Sequence, residues 1–353
     1  MSAALNILTS AFAASQQGAA LAPHKIQRRA VGVRDVEIAI DFCGVCHSDL
    51  HMVNNDWGMS SYPLVPGHEI IGRVVALGPD VKDLTIGARV GVGCLVDSCR
   101  SCDACQDHLE QYCCNGFTLT YASPTKDPGG FTYGGYSKSI VVDRDFVVTV
   151  PENLDPAGAA PLLCAGITTY SPLAHWKVQK GMNVGIIGLG GLGHMGVKFA
   201  HAMGAHVVMI TTSKDKGEDA KRLGADEVLL SNDANAMAAH ANRFDFLLNT
   251  IPVPHDMNPY VSLLKRDATM CVVGALGPTA DLNTAPLVMG RRRIAGSLIG
   301  GLKETQDMLN FAGTHNITAD VEVIEMAGIN EAYARMQRSD VKYRFVIDIA
   351  SLV

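Results

Sequence analysis

The stretch Asn183-Val184-Gly185-Ile186-Ile187-Gly188-Leu189-Gly190-Gly191-Leu192-Gly193 decides the fold of half the chain. Five residues of apolar strand run into a Gly-x-Gly-x-x-Gly turn, and His194 to Ala205 continues with a helical pattern. A glycine triplet alone is weak evidence. Set between a strand and a helix, it acquires a mechanism: Gly188 permits the tight turn, Gly190 lets the backbone approach a pyrophosphate, and Gly193 lets helix and strand pack closely. The pyrophosphate would sit at the N-terminus of the helix, with Gly191 and Leu192 in the same turn.

Outward from this turn the pattern repeats. His206-Val207-Val208-Met209-Ile210-Thr211, Glu227 to Leu230, Phe244 to Asn249 and Met270 to Gly274 read as parallel strands, with Asn235 to Ala241 among the intervening helices. The result is a doubly wound parallel sheet. A sheet that binds NAD usually ends its second strand on an acid, which accepts hydrogen bonds from the ribose. Here Thr211 is followed by Thr212, Ser213, Lys214, Asp215 and Lys216, hydroxyls and ammonium groups suited to a 2′-phosphate. The alternative is an ordinary helix cap flanked by surface lysines. NADP is the expected cofactor.

The first third of the chain has a different grain. Val31 to Phe42 alternates apolar with polar residues, and Ile70 to Gly78 and Ala88 to Gly93 are β-branched and punctuated by glycine. These segments predict a compact, mostly antiparallel β domain. The first of them delivers the chain to Cys43-Gly44-Val45-Cys46-His47-Ser48-Asp49-Leu50-His51, followed by Pro66-Gly67-His68-Glu69 and, much later, by the isolated thiol of Cys164. Cys, His and Cys with a free fourth position are the ligands of an open catalytic zinc. Cys99, Cys102, Cys105 and Cys113 form a second cluster, whose four thiols within fifteen residues can close a tetrahedron around a structural zinc. The usual iron–sulfur spacings differ from this one. Cys43, Cys94, Cys114 and Cys271 remain, each expected to be a buried thiol. Composition changes around Pro151 to Pro156, and after Ile299-Gly300-Gly301 a helix-like Lys303 to Ala312 and a strand at Tyr343 to Ile347 return the chain to its first domain.

With 353 residues, 48% of them hydrophobic, the chain can bury two cores. A net charge of −6 and no basic cluster longer than Arg291-Arg292-Arg293 argue against nucleic acid. No apolar run is long enough to span a bilayer, and Ala11 to Ala22 is broken by Ser15, Gln16, Gln17 and Gly18. The expectation is a soluble, cytoplasmic protein.

These blocks, taken together and in order, resemble the zinc-dependent medium-chain alcohol dehydrogenases, and within them the cinnamyl alcohol dehydrogenase group with its bacterial NADPH-dependent aldehyde reductase relatives. The carriers are Cys43 to His51, Gly67-His68-Glu69, the four-Cys lobe, Pro161 to Thr168, Gly188 to Gly193 and Lys342 to Val346. The resemblance implies an α/β architecture: a GroES-like catalytic domain over 1–158 and 298–353, and a Rossmann domain over 159–297. It implies two zinc ions per chain, with Cys46, His68 and Cys164 on the catalytic one and Glu69 beside it. Asp49 would orient His68, Ser48 would take the alcohol proton, and His51 would pass it to solvent. Thr168 would face the nicotinamide, Arg344 would pair with Glu69 or pyrophosphate, and His47 stands where some relatives place Arg on the pyrophosphate. Trp57, Cys94 and Leu298 are pocket positions, Trp57 being equally readable as a surface anchor. The implied activity is interconversion of primary alcohols, aromatic ones among them, and aldehydes with NADP(H), in a homo-oligomer for which a dimer is favoured. Two rivals keep the fold and lose the chemistry: a zinc-free quinone or enone reductase, which needs neither thiol cluster, and a non-enzymatic scaffold, which should lack a ligand or relay group.

Overall fold

In a computed structural model the described residues are 6–274 and 277–352. The chain divides into two compact units, Met1–Cys164 with Gly301–Val353, and Ala165–Gly300. The second unit thus begins and ends a few residues beyond the 159–297 expected from sequence. The physical reason is at the first boundary: a Cβ on Gly91 would lie 2.9 Å from Leu163 Cδ1 and one on Gly93 3.1 Å from its carbonyl oxygen, so the segment before Cys164 packs on the first unit.

The first unit opens with a hairpin of β1 (Ile7–Ala13) and β2 (Ala22–Arg28). There follow β3 (Asp35–Val45), α1 (His47–Asn54), β4 (Ile70–Leu77), β5 (Arg89–Val92), β6 (Leu95–Asp97), α2 (Asp103–Gln106), β7 (Thr118–Leu119), β8 (Ser139–Asp143), β9 (Val148–Thr149) and α3 (Pro156–Ala159). The second unit holds α4 (Ala165–His175), β10 (Asn183–Ile187), α5 (Gly193–Ala202), β11 (His206–Thr211), α6 (Lys216–Arg222), β12 (Glu227–Leu230), α7 (Ala234–Ala239), β13 (Phe244–Asn249), α8 (Asn258–Val261), β14 (Leu264–Val272), α9 (Ala285–Gly290) and β15 (Arg293–Gly296). The chain then returns to the first unit as α10 (Leu302–His315), β16 (Val321–Glu325), α11 (Ile329–Gln337) and β17 (Arg344–Asp348).

The second unit is a parallel six-stranded sheet in the order β12-β11-β10-β13-β14-β15. Its central strands are buried on both faces, which is why Val184 to Ile187, Val207 to Ile210 and Phe246 to Leu248 are continuous apolar runs. The first unit is built on a seven-stranded sheet, β16-β17-β3-β4-β5-β9 with β8 also on β3, antiparallel except for β16 with β17.

Strand β3 organises the first unit. Its register against β4 shifts between Glu37 and Ile38 and between Ile40 and Phe42, so the pleat is interrupted twice before Cys43 pairs with Ile70. Antiparallel pairing at that point sets Cys46, three residues past Cys43, beside His68, two residues before Ile70. On its other edge β3 pairs Val45 with Phe345, which brings the start of β17 and Arg344 to the same end of the sheet. Gly44 has to be bare: a Cβ there would collide with the Glu69 carboxylate.

Candidate active site

Cys46 caps the N-terminus of α1, and its amide donates to Asp49 Oδ2 at 2.9 Å. The ligand atoms of Cys46, His68, Glu69 and Cys164 all lie within 4.8 Å of one another. The two sulfurs are 3.9 Å apart. That is far beyond a disulfide bond of about 2.05 Å and close to the roughly 3.8 Å that two thiolates take on a tetrahedral zinc with bonds of about 2.3 Å. His68 turns Nδ1 to Asp49 Oδ1 at 3.2 Å, leaving Nε2 for a metal. Tyr121 stacks on the imidazole, ring centroids 5.7 Å apart.

Glu69 is fully buried, with Oε1 accepting from Arg344, which also donates to the Val45 carbonyl at 3.0 Å. Its other oxygen, Oε2, is buried without a hydrogen-bond partner. An orphaned carboxylate oxygen facing two thiols and an imidazole fits a zinc centre whose fourth position exchanges between carboxylate, water and substrate.

The electrostatics agree with a cation-binding cage. Burial pushes the Glu69 carboxyl up to about 7, although Arg344 opposes the rise. Contact with Cys164 holds the Cys46 thiol well below the usual range, and contacts with Cys46 and Cys94 together with burial raise Cys164 well above it. Burial disfavours charge on His68, yet Cys94 and Asp49 hold the imidazole well above its ordinary value. Burial likewise works against Arg344, and the charges of Glu69, Cys46 and Cys164 more than offset it. A metal takes both thiols as thiolates, and its binding releases protons.

Ser48 Oγ accepts from Cys46 Sγ at 3.6 Å. His51, three residues on and in the last turn of α1, has Nδ1 2.7 Å from Asp56 Oδ2 and its ring 5.2 Å from that of Trp57. Asp56 went unread in the sequence. The available signal was Asn55, which sits at φ 55° as the helix C-cap and turns the chain back so that the Asp56 amide bonds the His51 carbonyl. His47 is exposed on the same helix.

The second thiol cluster, Cys99, Cys102, Cys105 and Cys113, also falls within 4.8 Å. Its sulfur pairs 99–105 and 102–113 are each 3.9 Å apart. Backbone amides of Cys102, Cys99 and Cys114 point at the sulfurs of Cys99, Cys113 and Cys102 at 3.4, 3.4 and 3.5 Å. Amide donors from Ser101 and Cys102 bring the Cys99 thiol down to about 5. This four-sulfur shell has no room for substrate. Of the four leftover thiols, Cys43 and Cys271 are buried and Cys94 is half-buried, but Cys114 is exposed, correcting the expectation. Its amide is spent on the cluster while its side chain faces outward.

In the second unit Gly188 has φ +92°, and a Cβ on Gly193 would strike the Gly188 carbonyl oxygen. At Gly190 nothing lies within 4 Å of where a Cβ would stand, the open cradle that a pyrophosphate would fill. Thr250, beyond β13, donates to the carbonyls of Ile187 and Gly188 at 2.9 and 3.0 Å and shapes the turn. The sequence reading missed it, although Asn249-Thr250 at the end of a buried apolar strand is itself a polar signal. Thr212 is exposed just past β11, and Lys216 Nζ bonds the Leu189 carbonyl at 3.2 Å, tying the start of α6 to the glycine turn. Asp215 precedes α6 without capping it, and Ser213 donates its amide to Thr211 Oγ1 at 3.3 Å. Thr168 is buried on α4, and Leu298 is 39% exposed.

Residues 32–152 match the alcohol dehydrogenase GroES-like domain family, and residues 191–314 match the zinc-binding dehydrogenase family. The chain is similar to aldehyde reductase YahK of Escherichia coli (strain K12), 56% identical over 334 residues that cover 94% of this chain and 95% of that protein. It is also similar to the solved structure of a cinnamyl alcohol dehydrogenase from Sorghum bicolor, with 44% identity and a TM-score of 0.94 over 98% of this chain and 99% of that one. CAD from Helicobacter pylori, solved in complex with NADP(H), matches with 38% identity and a TM-score of 0.91 over 99% and 100% of the two chains.

Proposed function

We propose, from the premise that this chain belongs to the zinc-dependent medium-chain alcohol dehydrogenase family, that it interconverts primary alcohols and aldehydes, aromatic ones included, with NADP(H) at the Cys46–His68–Cys164 centre. The observation that carries the reading is the donor set: two sulfurs at 3.9 Å, an imidazole turned by a buried carboxylate, and an unpartnered Glu69 oxygen. When bound, zinc supplies a Lewis acid for the substrate oxygen and the nicotinamide takes or gives the hydride.

The chain's own residues do the rest. Asp49 fixes the His68 tautomer and ring. Ser48, beside Cys46, holds the substrate hydroxyl proton, and His51 passes it to solvent with Asp56 orienting its ring. Arg344 keeps the Glu69 carboxylate paired when it is not on the metal. A second zinc at Cys99, Cys102, Cys105 and Cys113 is structural, and the working assembly is a dimer. Zinc content measured together with NADPH-dependent aldehyde turnover tests the whole reading. A chain that turns over quinones or enones but not aldehydes, or that carries no zinc, defeats it.

The relay makes distinct demands on its members. Ser48→Ala should lose most turnover, about a hundredfold or more, at unchanged zinc content. His51→Gln should instead displace the pH profile of kcat while costing the maximum rate less, because buffer substitutes for a group near solvent. Asp56→Asn should move the profile in the same sense as His51→Gln. Unaltered pH profiles in both variants would remove the pair from the relay.

Cofactor choice is read at Thr212 and Ser213. A charge-assisted hydrogen bond to phosphate contributes about 1.5–3 kcal/mol, so two or three of them favour NADPH over NADH by on the order of a hundredfold. Thr212→Asp places a carboxylate where the phosphate would lie and should lower the NADPH/NADH ratio of kcat/KM by about that factor. Equal efficiencies in the native enzyme, or an unchanged ratio in the variant, would return these residues to a helix cap.

A further inference from the structure

We infer that Tyr136 is a positioning residue of the metal centre, its phenol completing the set of donors that holds Asp49 between the two segments carrying Cys46 and His68. The inference rests on the zinc reading above. Asp49 is fully buried, and its two oxygens meet four donors. Oδ2 accepts from the Cys46 amide at 2.9 Å and from the Tyr136 hydroxyl at 3.2 Å. Oδ1 accepts from the Gly67 amide at 3.2 Å and faces His68 Nδ1 at 3.2 Å. A carboxylate offers about four lone-pair sites, and here each is filled.

Three of these donors belong to a metal ligand or its neighbour. Tyr136 comes from elsewhere in the chain, as does the Tyr121 phenol that also bonds Asp49. The hydroxyl is therefore an external brace on a carboxylate otherwise held by the ligand segments it aligns and by Tyr121.

Backbone bonds already fix where Tyr136 stands. The amides of Gly134, Gly135 and Tyr136 bond the carbonyls of Val65, Gly67 and Pro66 at 2.8, 2.8 and 3.0 Å, and Phe12 donates to the Tyr136 carbonyl at 2.9 Å. The ring lies against Gly67, where a Cβ would come within 2.7 Å of Tyr136 Cδ1. Fold and ring packing thus depend on the backbone and the aromatic face, while the hydroxyl meets Asp49 with the Tyr333 phenol beside it. Burial pushes this phenol well above its ordinary range, which keeps it a donor.

Tyr136→Phe removes the hydroxyl and keeps the ring. In the zinc-loaded enzyme challenged with a chromogenic chelator, release from the Cys46–His68–Cys164 centre should quicken about tenfold. Release from the four-Cys cluster, identified by its loss in Cys102→Ala, should keep its native rate, as should the melting temperature. The visible bands of the cobalt-substituted enzyme should shift, since the His68 ring is less firmly aimed. As a second arm, Tyr136 replaced by 3-fluorotyrosine retains hydroxyl and fold, and its fluorine resonance should move when the catalytic zinc is withdrawn. Native release kinetics and cobalt spectrum in a Tyr136→Phe protein of native stability would overturn the positioning role, as would a fluorine resonance indifferent to that zinc. Native protein without zinc would instead overturn the function reading on which the role depends.

Discussion

Cys46→Ala should abolish aldehyde reduction, a loss of about a thousandfold or more, while zinc content falls by one ion and the fold survives. The size follows from what is removed: polarisation of a substrate oxygen by a metal lowers the barrier by several kcal/mol, and each 1.36 kcal/mol is about tenfold in rate. Two protein ligands cannot hold a catalytic zinc as three do, and His68, Cys164 and Glu69 would be left with one thiol fewer. The fold is spared because the Cys46 side chain is not what anchors its segment. Its amide is on Asp49, and α1 buries Leu50, Met52 and Val53. The measurement is turnover with NADPH and a benzaldehyde-type substrate beside metal analysis and far-ultraviolet circular dichroism. Turnover within tenfold of native would show that the reaction does not run through this centre.

Local patterns carried much of the outline. The parallel sheet was legible because buried parallel strands are continuous apolar runs and because the Gly188–Gly193 turn is a sequence-local device. The four-Cys cluster was legible for the same reason, since all four sulfurs come from fifteen consecutive residues. The proposed catalytic centre was different. Its ligands are brought together by the pairing of Cys43 with Ile70 and of Val45 with Phe345, and register is a non-local property that an alternating pattern does not specify once bulges interrupt it. Donor types suggested that Cys46, His68 and Cys164 belong together, and the resemblance named them as one ligand set. Asp56, Tyr136 and Thr250 carried weaker signals: Asp56 and Tyr136 each meet one site residue through a side-chain hydrogen bond, and Thr250 donates to two carbonyls of the glycine turn. Residue type alone would not single them out. The unit boundary moved to Cys164 because two glycines of β5 and the residue after it accept Leu163 closely, a packing fact with no periodicity.

Cys102→Ala should leave the chemistry and lower the stability. The lobe it belongs to has little else to hold it: a helix of four residues, a pair of strands two and three residues long, and buried side chains limited largely to Cys105, Gln111 and Cys113. Ties to the rest of the unit exist, among them Arg100 with Asp143 and Asp145 and the Leu302 amide on Glu110 Oε2 at 2.9 Å. The Arg100 pairs are half-exposed and contribute little each. A zinc held by the four thiols would therefore supply most of the free energy that closes the lobe, and three thiols would retain it far less tightly than four. A loss of about 3 kcal/mol or more corresponds to a fall in melting temperature of roughly 4 °C or more for a protein of this size. Zinc content should drop by one ion, and limited proteolysis should cut first between Ser98 and Gly116. The kcat of freshly prepared protein at low temperature should stay near native, since none of the four thiols contributes to the Cys46–His68–Glu69–Cys164 cluster. Native melting temperature together with native zinc content would mean that the four sulfurs close no metal site, whereas early loss of turnover with the fold intact would move the cluster from support to chemistry.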